Sequence, residues 1–216
     1  MTVAEQLEID ELWIAFSTGK NFRYLAAHET AMTLGPNKCH GFPFFHALTG
    51  CDTVSCFSGR GKKTAWEPWK ACDEVSDEVT KAFCALAVTP TISSVDDYMD
   101  ALERFVVLLY DRTSCQEHVN MARKHLFTQS GRSIEAIPPT REALIQHIKR
   151  AAYQAGFCWG QMMICLPELP SPAEWGWVQG ENGWGIYWTT LPEATEACQQ
   201  LITCGCKKVV KDSASV

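Results

Sequence analysis

No stretch of this 216-residue chain approaches the roughly 18 consecutive apolar residues that cross a bilayer, so the reading contains no membrane span. Positive charge is not in excess: 19 Lys and Arg stand against 25 Asp and Glu, a formal net charge of −6. Any attraction to a polyanion must therefore come from a local patch rather than from the whole molecule. There is no Gly-x-Ser-x-Gly elbow, Walker loop, dinucleotide fingerprint or His-Glu-x-x-His helix, which removes the commonest hydrolase and nucleotide-enzyme readings. Internal repeats and low-complexity segments are also missing. Residues 1–11 are polar and acidic, without the apolar core of a secretory leader. The expected compartment is thus reducing, nucleus or cytoplasm, and the eleven cysteines are expected as free thiols rather than a disulfide framework.

What is present is a globular composition, 46% hydrophobic and only 20% charged. Its most informative segment is residues 46–65, His-Ala-Leu-Thr-Gly-Cys-Asp-Thr followed by Val-Ser-Cys-Phe-Ser-Gly-Arg-Gly-Lys-Lys-Thr-Ala. An apolar run ends at Gly50, an acid follows at Asp52, and a cationic glycine turn follows that. Glycine lets a phosphate approach the backbone N–H groups closely, and a helix starting after Gly61 would add partial positive charge. Gly59, Arg60, Gly61, Lys62, Lys63 and Thr64 are the expected nucleic-acid-binding residues. The same pattern also suits a surface turn with no ligand.

This segment resembles the junction in structure-specific nucleases of the flap endonuclease class, where a PIN-like α/β domain passes into a helix–two-turn–helix element. Gly50-Cys51-Asp52 matches the Gly-x-Asp of that pattern, and Gly59-Arg60-Gly61 with Ala65 matches its Gly-x-Gly and following helix. The His-Ala-Leu-Thr-Gly-Cys-Asp-Thr wording is also similar to a poorly characterised group of animal proteins associated with mobile elements, over a stretch running to Lys208. The resemblance implies that Asp52 is a catalytic acid and a divalent-metal ligand, that Mg²⁺ is the ion if the protein is active, and that the glycine turn holds one strand of a duplex, DNA in preference to RNA. Hydrolysis by two metals needs several converging carboxylates. In that class most of them lie upstream of the matched segment. Here only Glu5, Glu8, Asp10 and Glu11 precede the first strand-like run, with a different spacing. The expectation is a truncated nuclease-like protein that binds backbone without catalysis. Two alternatives stand beside it: an active Mg²⁺-dependent endonuclease drawing on Asp10, Glu11 or Glu29, and a non-enzymatic helical interaction module with an unknown protein partner.

The expected fold is an α/β remnant, a partial PIN-like sheet, followed by a mostly α-helical region with a small Trp-rich β-hairpin. Residues 12–17 read as a buried strand and 23–26 as a second one. Residues 27–34 read as a helix stopped by Gly35-Pro36, and 42–49 as the helix before Asp52. A helix from Lys62 is expected to be short or kinked by Pro68. Helices are further expected over 76–88, 94–110, 116–127 and 140–155, the last capped by Thr140. Lys149-Arg150 and Arg123-Lys124-His125 are expected on solvated faces, and His28, His40 and His46 at turns or caps. Glu181-Asn182-Gly183 reads as a hairpin turn among Trp175, Trp177, Trp184 and Trp188. These tryptophans are expected to close the core rather than stack on bases or a proline-rich peptide. A last helix is expected over 191–203, and Cys198, Cys204 and Cys206 fall one short of a structural zinc set. The expected units are 1–72, 73–156 and 157–208, with a disordered tail at 209–216.

Overall fold

The computed structural model describes residues 9–17, 19–129, 133–165 and 167–191. The expected final helix, the C-terminal cysteines, the tail, Glu5 and Glu8 lie outside these residues. Among those described, seven α-helices are flanked by two antiparallel two-stranded hairpins. Strands β1 (Trp13–Phe16) and β2 (Arg23–Ala26) pair in the register Trp13↔Ala26 to Phe16↔Arg23. Helix α1 (Ala27–Leu48) follows at once and breaks its helical path at Gly35, where φ is 76°. Then come α2 (Lys62–Val75), α3 (Glu78–Val88), α4 (Ile92–Asp97), α5 (Met99–Tyr110), α6 (Val119–Phe127) and α7 (Arg141–Ala152). A π-helical turn, Tyr153–Trp159, prolongs α7. Strands β3 (Trp177–Gly180) and β4 (Gly183–Ile186) form the second hairpin.

The helices follow from apolar residues recurring at three and four positions. In α5, Leu102, Phe105, Val106 and Leu109 are buried, and in α3 Val79, Ala82, Phe83 and Leu86. The second half of α1 is the central element, with α3 as its main packing partner. Phe44 and Phe45 meet Phe83 at ring distances of 5.4 and 6.2 Å, and Phe45 also meets Trp69 of α2 at 4.8 Å. One hydrophobic cluster runs from Phe44 through α2, α3, α5 and α7 to Trp175, so it draws on all three of the expected units.

Several local expectations are corrected. Helix α2 runs through Pro68 for its full 14 residues, because Pro68 and Trp69 are buried and tertiary packing outweighs the lost backbone bond. The single helix expected over 94–110 is two, α4 and α5. The first of them starts earlier than expected, behind a capping box: Thr91 Oγ1 accepts from the Ser94 amide, and Ser94 Oγ accepts from the Thr91 amide. Thr140 caps α7 as expected, accepting from Ala143 N–H. The strand over 13–16 is not buried: every residue of β1 is exposed, and so are Phe22 and Tyr24. The tryptophans divide. Trp175 is buried and Trp177 packs at the core's edge, whereas Trp184 and Trp188 face solvent. Arg150, expected on a solvated face, is 1% exposed.

Candidate functional site

The segment from Leu48 to Lys62 is pinned rather than loose. Thr49 Oγ1 donates to the Phe45 carbonyl and ends α1. Gly50 has φ 102°, and a Cβ there would lie 2.5 Å from the Cys56 Cβ, so only glycine fits. Cys51 and Val54 exchange backbone bonds. Val54 and Phe57 insert their side chains into the core as two anchors. Between them Ser55 reaches His147 of α7, Oγ to Nδ1 at 3.0 Å. A tight turn then closes from Arg60 N–H to the Phe57 carbonyl, with Gly59 at φ 65°. Gly61 precedes α2 and supplies no side-chain cap.

The expected cationic set is only partly brought together. Lys62 Nζ donates to the Gly50 carbonyl, tying the start of α2 to the end of α1. Arg60 folds back over the Tyr110 ring, 5.2 Å from its centroid, and is half-buried. Lys63 and Thr64 are exposed, and Lys63 makes no ion pair among the described residues. The amides of Lys62, Lys63 and Thr64 belong to the first turn of α2 and have no intrahelical acceptor. No acid occupies that first turn, although acids are what the positive end of a helix favours. Gly61 differs from Gly50: it has an ordinary φ of −80°, and a Cβ on it would meet nothing within 4 Å. The fold itself therefore does not require glycine at 61.

Asp52 is exposed. It is near enough to His46 to oppose the lowering of that histidine's pKa, which burial and then the Lys62 charge bring about. Asp10, Glu11 and Glu29 form no three-membered ligand group with Asp52 among the described residues. Among the described residues a single group of three His, Cys, Asp or Glu side chains has ligand atoms close enough together for one metal ion, and it is Asp100, Glu103 and His118. Asp52 is not part of it. The group itself does not read as a metal centre. Glu103 is fully buried and its carboxylate is already satisfied by His118 Nδ1 at 3.0 Å, Val119 N–H at 3.1 Å and Arg141 Nε at 3.3 Å. A guanidinium in that position repels a cation.

Searched against family models, curated proteins and solved structures, the chain matches none. The site must be judged on its own chemistry.

Sequence reasoning missed the residues behind the loop. His147 Nε2 lies 2.8 Å from the Leu48 carbonyl. A carbonyl only accepts, so Nε2 carries the proton, and Nδ1 accepts from Ser55. Burial pushes the His147 pKa down to about 4, outweighing the bond to Leu48. The Ser55–His147 pair thus has the outline of a nucleophile and base, but with a base too weak for proton abstraction near neutrality. It fastens the loop to α7 instead. The signal was visible in part: His147 falls on the apolar stripe of Leu144, Ile148 and Ala151.

Proposed function

We propose that this chain binds the phosphate backbone of a nucleic acid, DNA first, at the N-terminus of α2, and that it does so without cleaving the strand. Gly61, the free amides of Lys62, Lys63 and Thr64, and the Lys63 ammonium form the contact set. The observation that carries the reading is the uncapped start of α2: a bare glycine that the fold does not demand, unsatisfied amides, and a lysine where the helix dipole disfavours one. A phosphate oxygen would satisfy all three. The resemblance to the flap endonuclease class supports the same assignment, with Gly59 shaping the turn. Arg60 and Lys62 shape the loop more than they offer charge. Two-metal hydrolysis needs several converging carboxylates, and among the described residues Asp52 belongs to no group of three metal-ligating side chains.

The test is an anisotropy titration of a labelled DNA duplex at two salt concentrations, repeated with single-stranded DNA and RNA. Lys63→Glu should weaken binding and reduce the salt slope by about one phosphate contact. Gly61→Val should weaken binding with no more than the modest stability loss of a poorer N-cap, because a Cβ there meets nothing within 4 Å. Unaltered affinity in both variants would refute the reading. A Mg²⁺-dependent cleavage assay with Asp52→Asn as control should give no Asp52-dependent product.

A second reading, a non-enzymatic interaction module, rests on the β1–β2 hairpin. Trp13, Ile14, Phe16, Phe22 and Tyr24 are each at least half exposed. Exposed apolar surface of this extent marks interaction sites.

A further inference from the structure

Behind the Val54–Arg60 loop lies a cavity of about 280 Å³, walled by Ser55, Tyr110, Arg123, His147, Arg150 and Trp188 among others. Arg150 is almost wholly buried, and among the described residues no carboxylate lies within ion-pair distance of it. Its Nη1 donates to the carbonyls of Gly176 at 3.0 Å and Tyr187 at 2.8 Å, which secures the β3–β4 hairpin to α7. Its Nε makes no hydrogen bond. Among the described residues only two buried side-chain N or O atoms have no partner, and the other is Nε of Arg60, which stacks on Tyr110 in the same cavity wall.

An unpaired buried guanidinium is costly, because desolvation is not repaid by an opposite charge. Burial lowers the Arg150 pKa to about 10, and among the described residues no carboxylate pairs with it to offset that cost. Glu135 also borders the cavity, but it is exposed and pairs with neither arginine. Arg123 brings a second guanidinium, using one nitrogen on the Pro138 carbonyl at 2.6 Å. Trp188 lies over Arg150, its ring centroid 5.6 Å from the guanidinium carbon, and is largely exposed. Guanidinium groups present forked donors that suit phosphate or carboxylate.

We propose that this cavity binds a small ligand bearing a phosphate or carboxylate group, with Arg150 as its counter-charge, Arg123 as a second donor and Trp188 against a flat ring. The volume lies just below the roughly 300–1,000 Å³ of small-molecule sites, which admits one anionic group and a ring but no polymer. The site is separate from the start of α2, and it does not rest on the nucleic-acid reading.

The experiment is an NMR titration of the whole chain with phenyl phosphate, benzoate and inorganic phosphate at constant ionic strength. It follows the arginine Nε–H and tryptophan indole signals. The expected result is a saturable shift of Arg150 Nε–H and the Trp188 indole, with affinity at least about tenfold lower in Arg150→Gln. Tighter phenyl phosphate assigns a phosphate ligand, and tighter benzoate a carboxylate. Should Arg150→Gln not fold, Arg123→Gln replaces it, with several-fold weakening expected. No saturable shift, an unchanged affinity in the folded variant, or shifts confined to the amides of 61–64 would overturn the proposal. Duplex binding through Lys63 could survive that outcome, so the two ideas fail separately.

Discussion

His147 shows how one buried side chain makes stability depend on pH. Its pKa is about 4 in the fold against an ordinary 6.5, so the unfolded chain binds a proton that the folded chain refuses throughout that interval. Stability therefore rises with pH between about 4 and 6.5 and is lost as pH falls through the same window. The full effect is about 3 kcal/mol, from a shift of roughly two and a half units at 1.36 kcal/mol each. Urea unfolding at pH 7 and pH 4 should show this loss in the native protein. In His147→Gln the slope over that interval should be visibly shallower, even if the variant is weaker at pH 7. An equal slope in both would mean that another group carries the acid sensitivity. The glycines divide at the same scale. Gly50 is held by a positive φ and by Cys56, whereas Gly61 is held by nothing inside the molecule. That asymmetry separates a structural glycine from one available to a ligand.

Helices α5, α6 and α7 are joined at Glu103. Its carboxylate takes the first free amide of α6, the His118 ring beside it and the Arg141 guanidinium at the start of α7. An anion there suits the positive ends of both helices. His118 and Arg141 are half-exposed and can return to water, so removing the acid does not strand two buried charges. The Val119 amide is the group left without a partner. Glu103→Leu should therefore cost about 1–3 kcal/mol, less than the 3–5 kcal/mol of a fully buried pair, as read by urea denaturation. Adding Mg²⁺ or Zn²⁺ should not raise the melting temperature through Glu103, since Arg141 already neutralises it. Helix α2 adds the lesson of Pro68. Local propensity argues for a break there, but a buried proline next to a buried Trp69 keeps the helix whole.

Across the whole molecule, the helices share one buried core while the β1–β2 hairpin stands open. Its sequence, Trp-Ile-Ala-Phe against Arg-Tyr-Leu-Ala, reads as a core strand pair, yet both faces are exposed. A lone two-stranded hairpin is marginal in water. Replacing Ile14 and Tyr24 with Thr should alter the body's unfolding free energy by no more than about 0.5 kcal/mol each, because neither side chain belongs to the core. The same double variant should lower any self-association seen by sedimentation velocity. A large stability loss instead would mean that the hairpin is covered in solution. The periodic helices, the Thr140 cap, the Glu181-Asn182 turn and the stop near Gly35 were legible in the sequence, because each depends on contacts between residues close along the chain. The motif's uncapped helix start was legible for the same reason. Tertiary structure alone decided which cations are free: Arg60 is spent on Tyr110 and Lys62 on Gly50, and Arg150 is buried without an acid partner among the described residues. It also decided that Asp52 joins no three-membered ligand group among the described residues and that a core-like strand lies in the open. Burial and charge pairing are set by segments far apart in the chain, and no local pattern encodes which of them will meet.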